Sequence, residues 1–163
     1  AKVATFTDNG ITAQGFTFDT VPPEVDGTVD RVLLIRALHN LNRFQQKAGT
    51  RSQALAATHA MLKQDGLVGV VQHRAPATAS KEWADGNKGY LNEVAVIAMF
   101  AEAGFALVAQ SEINGNPMDQ PSGEDSVWRL SPSLRGSNDD EQRDVMVAIG
   151  ESDRMTLLFR KAP

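Results

Sequence analysis

The sequence predicts an α/β domain built on one mostly parallel sheet whose last strand runs antiparallel. Short apolar runs at 29–35 (VDRVLLI) and 67–71 (LVGVV) have the near-continuous character of strands buried on both faces. Helical patterns over 50–62 and 91–103 alternate with the apolar runs, as right-handed crossovers of a parallel sheet require. The last two runs, 105–113 and 155–160, are joined by a long polar segment without a long helix. They are therefore expected to pair antiparallel.

The elements follow in order. Residues 1–7 are mildly apolar and suit the tail of a helix. Asp8-Asn9-Gly10 is a turn signal. Residues 11–21 are rich in Thr and Phe and read as a strand with an irregularity at Gly15. Pro22-Pro23 ends it, because proline cannot continue a ladder. The 29–35 strand starts after Asp26-Gly27. Thr50 is a candidate N-cap for a helix whose apolar face carries Ala54, Leu55, Thr58, Met61 and Leu62. Asp65-Gly66 is expected to end that helix. The 67–71 strand then runs into Gln72-His73-Arg74. Leu91, Val94, Ala98 and Ala101 recur at helical spacing, and Gly104 supplies the stop. Residues 114–138 read as a long loop rich in Pro and Gly. Residues 139–149 suit an amphipathic helix whose acidic start, Asp139-Asp140-Glu141, favours the positive end of the helix dipole.

Composition narrows the function classes. The 163 residues are one domain by length. A hydrophobic fraction of 42% and a charged fraction of 22% are ordinary for a soluble globular chain. A net charge of -4 gives no basic field for nucleic acid or anionic lipid. No apolar run is long enough to cross a membrane. The absence of cysteine excludes disulfides, thiolate metal sites and cysteine nucleophiles, but leaves the compartment open between cytoplasmic and exported. The three histidines, His39, His59 and His73, lack short ligand spacing, so no metal site is expected.

In open α/β sheets ligands bind beyond the carboxyl ends of the strands. Here those ends read Phe18-Asp19-Thr20, Arg36-Ala37-Leu38-His39-Asn40 and Gln72-His73-Arg74-Ala75, which gathers polar and cationic groups on one rim. Four segments, VDRVLLIRALHN (29–40), MLKQDGLVGVVQHRA (61–75), EVAVIAMFAEAGFALVAQSEI (93–113) and SDRMTLLFRKAP (152–163), carry a further pattern. Together and in this order they resemble a bacterial group of class I, Rossmann-like, S-adenosylmethionine-dependent methyltransferases. That group has an Arg-x-x-His-Asn end to its fourth strand, a His-Arg-Ala end to its fifth, an Ala-Gly-Phe turn before its sixth and an Asp-Arg start to its seventh. Gln72 departs from the group, which prefers an acid there, and Gln64-Asp65-Gly66 replaces its Pro-Gly-Gly turn.

The resemblance implies a partial Rossmann-like sheet that lacks the first two strands, in a single truncated domain over 1–163. No Gly-x-Gly turn precedes a helix anywhere in the sequence, so the usual cofactor loop is missing. It implies S-adenosylmethionine as cofactor and a small molecule as methyl acceptor. Asp19 matches the acid that accepts from the adenine amino group. Arg36, Ala37 and Leu38 match the strand end beneath the cofactor. An alternative is a non-catalytic binding or dimerisation module of the same descent. A nicotinamide-type Rossmann protein is disfavoured by the absent glycine fingerprint.

Without the first two strands, the 29–35 strand has no neighbour on one side and one sheet face loses its helices. A bare edge and face of this kind favour pairing with another chain, so a homodimer is expected. Alternatively, the 11–21 strand moves beside 29–35 and closes the sheet internally.

Single residues carry two readings each. His39, Asn40 and His73 are candidate catalytic residues, because a neutral imidazole can take the proton that methyl transfer releases; the plainer reading is loop anchoring. Arg74, Trp83 and Tyr90 are candidate substrate-binding residues. Trp83 and Tyr90 flank Asp85-Gly86-Asn87-Lys88-Gly89, a candidate mobile cover, and core packing is the alternative. For Arg36, ion pairing is the plainer reading. Trp128 is placed over exposed apolar surface, and His59 is assigned to a helix surface or packing role.

Overall fold

The computed structural model describes residues 13–163. The helix tail and turn expected over 1–10, and the first two residues of the 11–21 strand, lie outside the described residues.

Four strands form one sheet: β1 (Val29–Ile35), β2 (Leu62–His73), β3 (Phe105–Ser111) and β4 (Arg154–Lys161). Their spatial order is β1-β2-β4-β3. β1 and β2 are parallel, and β4 is antiparallel to both β2 and β3. Three strands thus share one direction and the last opposes them, as expected of the final two runs. Among the described residues five α-helices complete the fold: α1 (Leu38–Arg43), α2 (Gln45–Ala48), α3 (Thr50–Met61), α4 (Glu93–Glu102) and α5 (Asp140–Ile149).

Alternation along the strands sends one set of side chains to the core. Leu34, Val68, Val70, Leu157, Phe159 and Phe105 pack with Leu55 of α3 and with Val96 and Phe100 of α4. Phe100 stacks on Phe159 at 4.1 Å between ring centroids and meets Phe105 at 5.6 Å. On the opposite face Leu33 is 68% exposed and Ile35 50% exposed. Among the described residues β1 pairs on one side only, with β2.

Three expectations need correction, and one region without an expected element proves helical. Residues 13–21 form no strand. Thr17 and Thr20 close a turn instead (Thr20 N to Thr17 O, 3.0 Å), and the Thr17 hydroxyl donates to Asp19 at 2.5 Å. Such local side-chain bonds compete with an extended ladder, and no strand lies alongside to offset them. The internal closure beside β1 is therefore not seen among the described residues. Secondly, residues 38–48 are helical. α1 and α2 are too short to show a period, and Gly49, in the left-handed region, caps α2. Thirdly, Asp65-Gly66 does not stop α3. The strand begins at Leu62, and residues 63–66 form an irregularity where the register jumps from Val29↔Leu62 to Arg31↔Leu67. A Cβ on Gly66 would sit 2.7 Å from Leu62, so the bulge requires glycine. Fourthly, β3 ends at Ser111 rather than Ile113.

α4 starts at an Asn92 cap whose side chain accepts from Ala95 N at 3.2 Å. The Asp139 side chain caps α5 in the same way, accepting from Gln142 N at 2.8 Å, with Asp140 and Glu141 in the first turn. No described helix is long and apolar enough to cross a membrane.

Candidate functional site

Because β4 runs antiparallel, its first residues arrive at the same rim as the last residues of β1 and β2. His73 pairs with Arg154 and Gln72 with Met155. A cavity of about 410 Å³ opens there. Ile35 and Arg36 leave β1 on one side of it. His39 and Asn40, on the first turn of α1, and His73, at the end of β2, line it, together with Trp128, the 130–133 segment, Glu151, Ser152 and Arg154.

The two histidines are brought together, with ring centroids 5.5 Å apart, and both are buried. The fully buried side chain of Gln72 fixes the first. Its amide nitrogen donates to Gly89 O at 2.8 Å and His73 O at 3.2 Å. Its oxygen must then be the acceptor, taking His39 N at 3.1 Å and His39 Nδ1 at 3.2 Å. Nδ1 of His39 therefore carries the hydrogen, and Nε2 keeps a free lone pair. Gly86 permits the loop behind to close on this turn, because a Cβ there would lie 2.5 Å from His39 O and its φ is +100°.

His73 Nδ1 meets the buried Ser152 hydroxyl at 2.6 Å. Burial, with the nearby charges of His39, Arg154 and Arg36, pushes His73 down to about 3. Burial also lowers His39, against the opposing hydrogen bond from Gln72. Both imidazoles are neutral at neutral pH. Two guanidinium groups, Arg36 and Arg154, and one carboxylate, Glu151, line the cavity. Glu151 pairs with Arg154, and the Arg154 Nε is buried without a hydrogen-bond partner.

The remaining predicted residues stand elsewhere. The Leu38 side chain is buried in the core, and Ala37 precedes α1 as its N-cap residue. Asp19 lies on the exposed Thr17–Thr20 turn. Arg74 points away from the cavity into a cluster of three carboxylates: Asp153 holds it bidentately at 2.9 Å, Glu93 at 3.0 Å and Glu112 at 2.5 Å. That cluster keeps it charged and leaves no guanidinium edge to offer a substrate. Tyr90 is fully buried and donates to Asp119 at 3.0 Å. Trp83 stacks on it at 5.2 Å and donates to Gly123 O at 2.8 Å. The aromatic pair braces a second small core with Ala75, Ala84 and Val127 rather than covering the rim. His59 packs edge-on against Phe105 at 5.2 Å.

Sequence reasoning placed Gln72 on the rim but gave no site role to Ser152, Arg154 or Trp128. The signal was present: an antiparallel last strand must begin at the rim where its parallel neighbours end. A wider cleft of about 900 Å³ lies between Asn42, Arg51 and Val94, but no buried titratable groups converge on it among the described residues. No group of three or more His, Asp or Glu suited to a metal ion occurs among the described residues.

Solved structures share this arrangement of sheet and helices. A chain of the complex between the Haloferax volcanii Trm112 methyltransferase activator and a methyltransferase candidate matches 91% of this chain at 18% identity, with a TM-score of 0.53. The mitomycin 7-O-methyltransferase MmcR matches 93% at 14% identity and 0.51. The pyocyanin biosynthetic protein PhzM matches 91% at 13% identity and 0.51. The chain has a methyltransferase-like fold. It spans 60%, 34% and 34% of the lengths of these three structures. No protein-family model and no curated protein matches the sequence.

The two arginines among the residues that line the cavity favour an anion there. Of the four cofactor-side candidates, Arg36 alone lines it.

Proposed function

We propose that this chain carries out S-adenosylmethionine-dependent methyl transfer to a small molecule, and that its rim cavity is the acceptor side of the site. The observation that carries the reading is the pair of neutral, buried histidines at the carboxyl ends of two parallel strands, with His39 held in one tautomer. The sequence resemblance narrows the class to the bacterial group with Arg-x-x-His-Asn and His-Arg-Ala strand ends.

When bound, S-adenosylmethionine supplies a methyl group already activated by its sulfonium, so the chain need only align the acceptor and manage its proton. The resemblance makes Ala37 part of the strand end that would lie beneath the cofactor and Asp19 the candidate partner of the adenine amino group, whereas Arg36 lines the acceptor cavity. His39 Nε2 accepts a hydrogen bond from the acceptor hydroxyl. As that oxygen loses its proton, Nε2 takes it, and Gln72 Oε1 steadies the Nδ1–H of the imidazolium. His73, pinned by Ser152, stays neutral, so the proton on His39 meets no second imidazolium. Asn40 lies beside His39 on the rim and orients the acceptor. The test is calorimetric titration with S-adenosylhomocysteine, and a chain that takes none at millimolar ligand is the non-catalytic binding module instead.

The proposed cover for the bare edge of β1 and for Leu33 and Ile35 is a second copy of the chain. The support is the run of two large aliphatic side chains facing solvent beside an unpaired strand edge among the described residues.

A further inference from the structure

Arg36 is the residue from which this inference starts. It follows directly on β1, and its main-chain N–H still donates to Val71 O at 2.7 Å. Its φ is then +51°, in the left-handed region where a residue with a side chain is strained. Glycine would adopt that conformation without strain. Strain of this kind persists at sites where a side chain is needed. The side chain here is a guanidinium on the wall of the cavity. Arg154 lines the same cavity, mostly buried, with a nitrogen that has no partner and a single carboxylate, Glu151, against it. In a chain with a net charge of -4, two arginines to one acid make the cavity a local focus for anions. Trp128 adds a flat, half-buried wall, its ring 6.0 Å from His39 and edge-on to it.

We propose that the cavity binds a small planar aromatic carboxylate, with Arg36 as the residue that selects the carboxylate and Trp128 as the wall against its ring. The planar fork of arginine matches a carboxylate bidentately, and the neutral imidazoles leave the other end of the cavity free for an uncharged hydroxyl. Placement of that hydroxyl at His39 rests on the methyl-transfer reading. Recognition of the carboxylate does not.

The probes are 4-hydroxybenzoate, its neutral relative 4-hydroxybenzamide, and phenyl phosphate, each titrated calorimetrically into the full chain. The acid is expected to bind at least tenfold more tightly than the amide and more tightly than the phosphate. Arg36→Gln is expected to remove that preference. Arg36→Gly removes the cation and relieves the backbone, so it is expected to melt no lower than the parent while losing the preference in the same way. Equal binding of acid and amide, tighter binding of the phosphate, undiminished preference in both variants, or no binding of the acid at millimolar concentration would each overturn the proposal. Binding of the acid without any binding of S-adenosylhomocysteine would sink the methyl-transfer reading and leave carboxylate recognition standing.

Discussion

The amide oxygen of Gln72 accepts from both the main-chain N–H and the Nδ1–H of His39, at 3.1 and 3.2 Å. The same amide donates backward to Gly89 O and His73 O. Glutamine meets this need because it carries an acceptor and donors on one planar group. An acid at this position would point a carboxylate at two carbonyl oxygens. The departure from the acid preferred by the resembling group is thus matched by the surroundings of Gln72.

Gln72→Glu is therefore expected to destabilise the chain by about 2–4 kcal/mol, because a buried carboxylate would lose two donors and gain repulsion. Urea denaturation at neutral pH measures it. A variant as stable as the parent would contradict the amide orientation on which the His39 tautomer rests.

His39→Ala is expected to lower methyl transfer by about 100-fold or more, the usual reach of a general base, with little change in KM for the acceptor. His73→Ala acts through the position of its neighbour and should cost less in kcat. Steady-state kinetics on both variants separate the roles. A larger loss for His73→Ala would exchange them.

Acid stability gives an independent check. His73 stays neutral in the folded chain down to about 3, whereas the unfolded chain takes its proton near 6.5. Between those values the unfolded state binds the extra proton, so stability falls as pH drops. The contribution is whole above 6.5 and is lost progressively toward 3, amounting in full to roughly 3–5 kcal/mol. Burial of His39 acts in the same direction. Melting curves between pH 7 and pH 4 should fall less steeply for His73→Gln than for the parent. Parallel profiles would show that His73 is not held neutral.

The proposed dimer predicts that Leu33→Lys yields a monomer with an unchanged fold, since Leu33 faces away from the core. Light scattering across a concentration series reads the mass. A monodisperse monomer for the parent at high concentration would remove the dimer.

Helical periodicity located α3 and α4, and short apolar runs located β1 and β4, although β1 buries one face only and leaves Leu33 and Ile35 exposed. The strand expected over 11–21 had the right composition, but in the described part Thr17, Asp19 and Thr20 satisfy one another locally. α1 was invisible because six residues show no period, and it is α1 that turns His39 inward. His39, Asn40, His73 and Arg36 were legible as a rim, since strand ends place them there whatever the loops do. Trp83 and Tyr90 were not, because their role is set by Gly123 and Asp119, roughly 30–40 residues away along the chain. Ser152 and Arg154 were within reach once the last strand was expected to run antiparallel.

The central claim is that this rim belongs to a methyl-transfer site. Isothermal titration of the full chain with S-adenosylhomocysteine tests it most directly. Saturable binding is the predicted result. No heat of binding at millimolar ligand, with the chain folded by circular dichroism, would contradict the account.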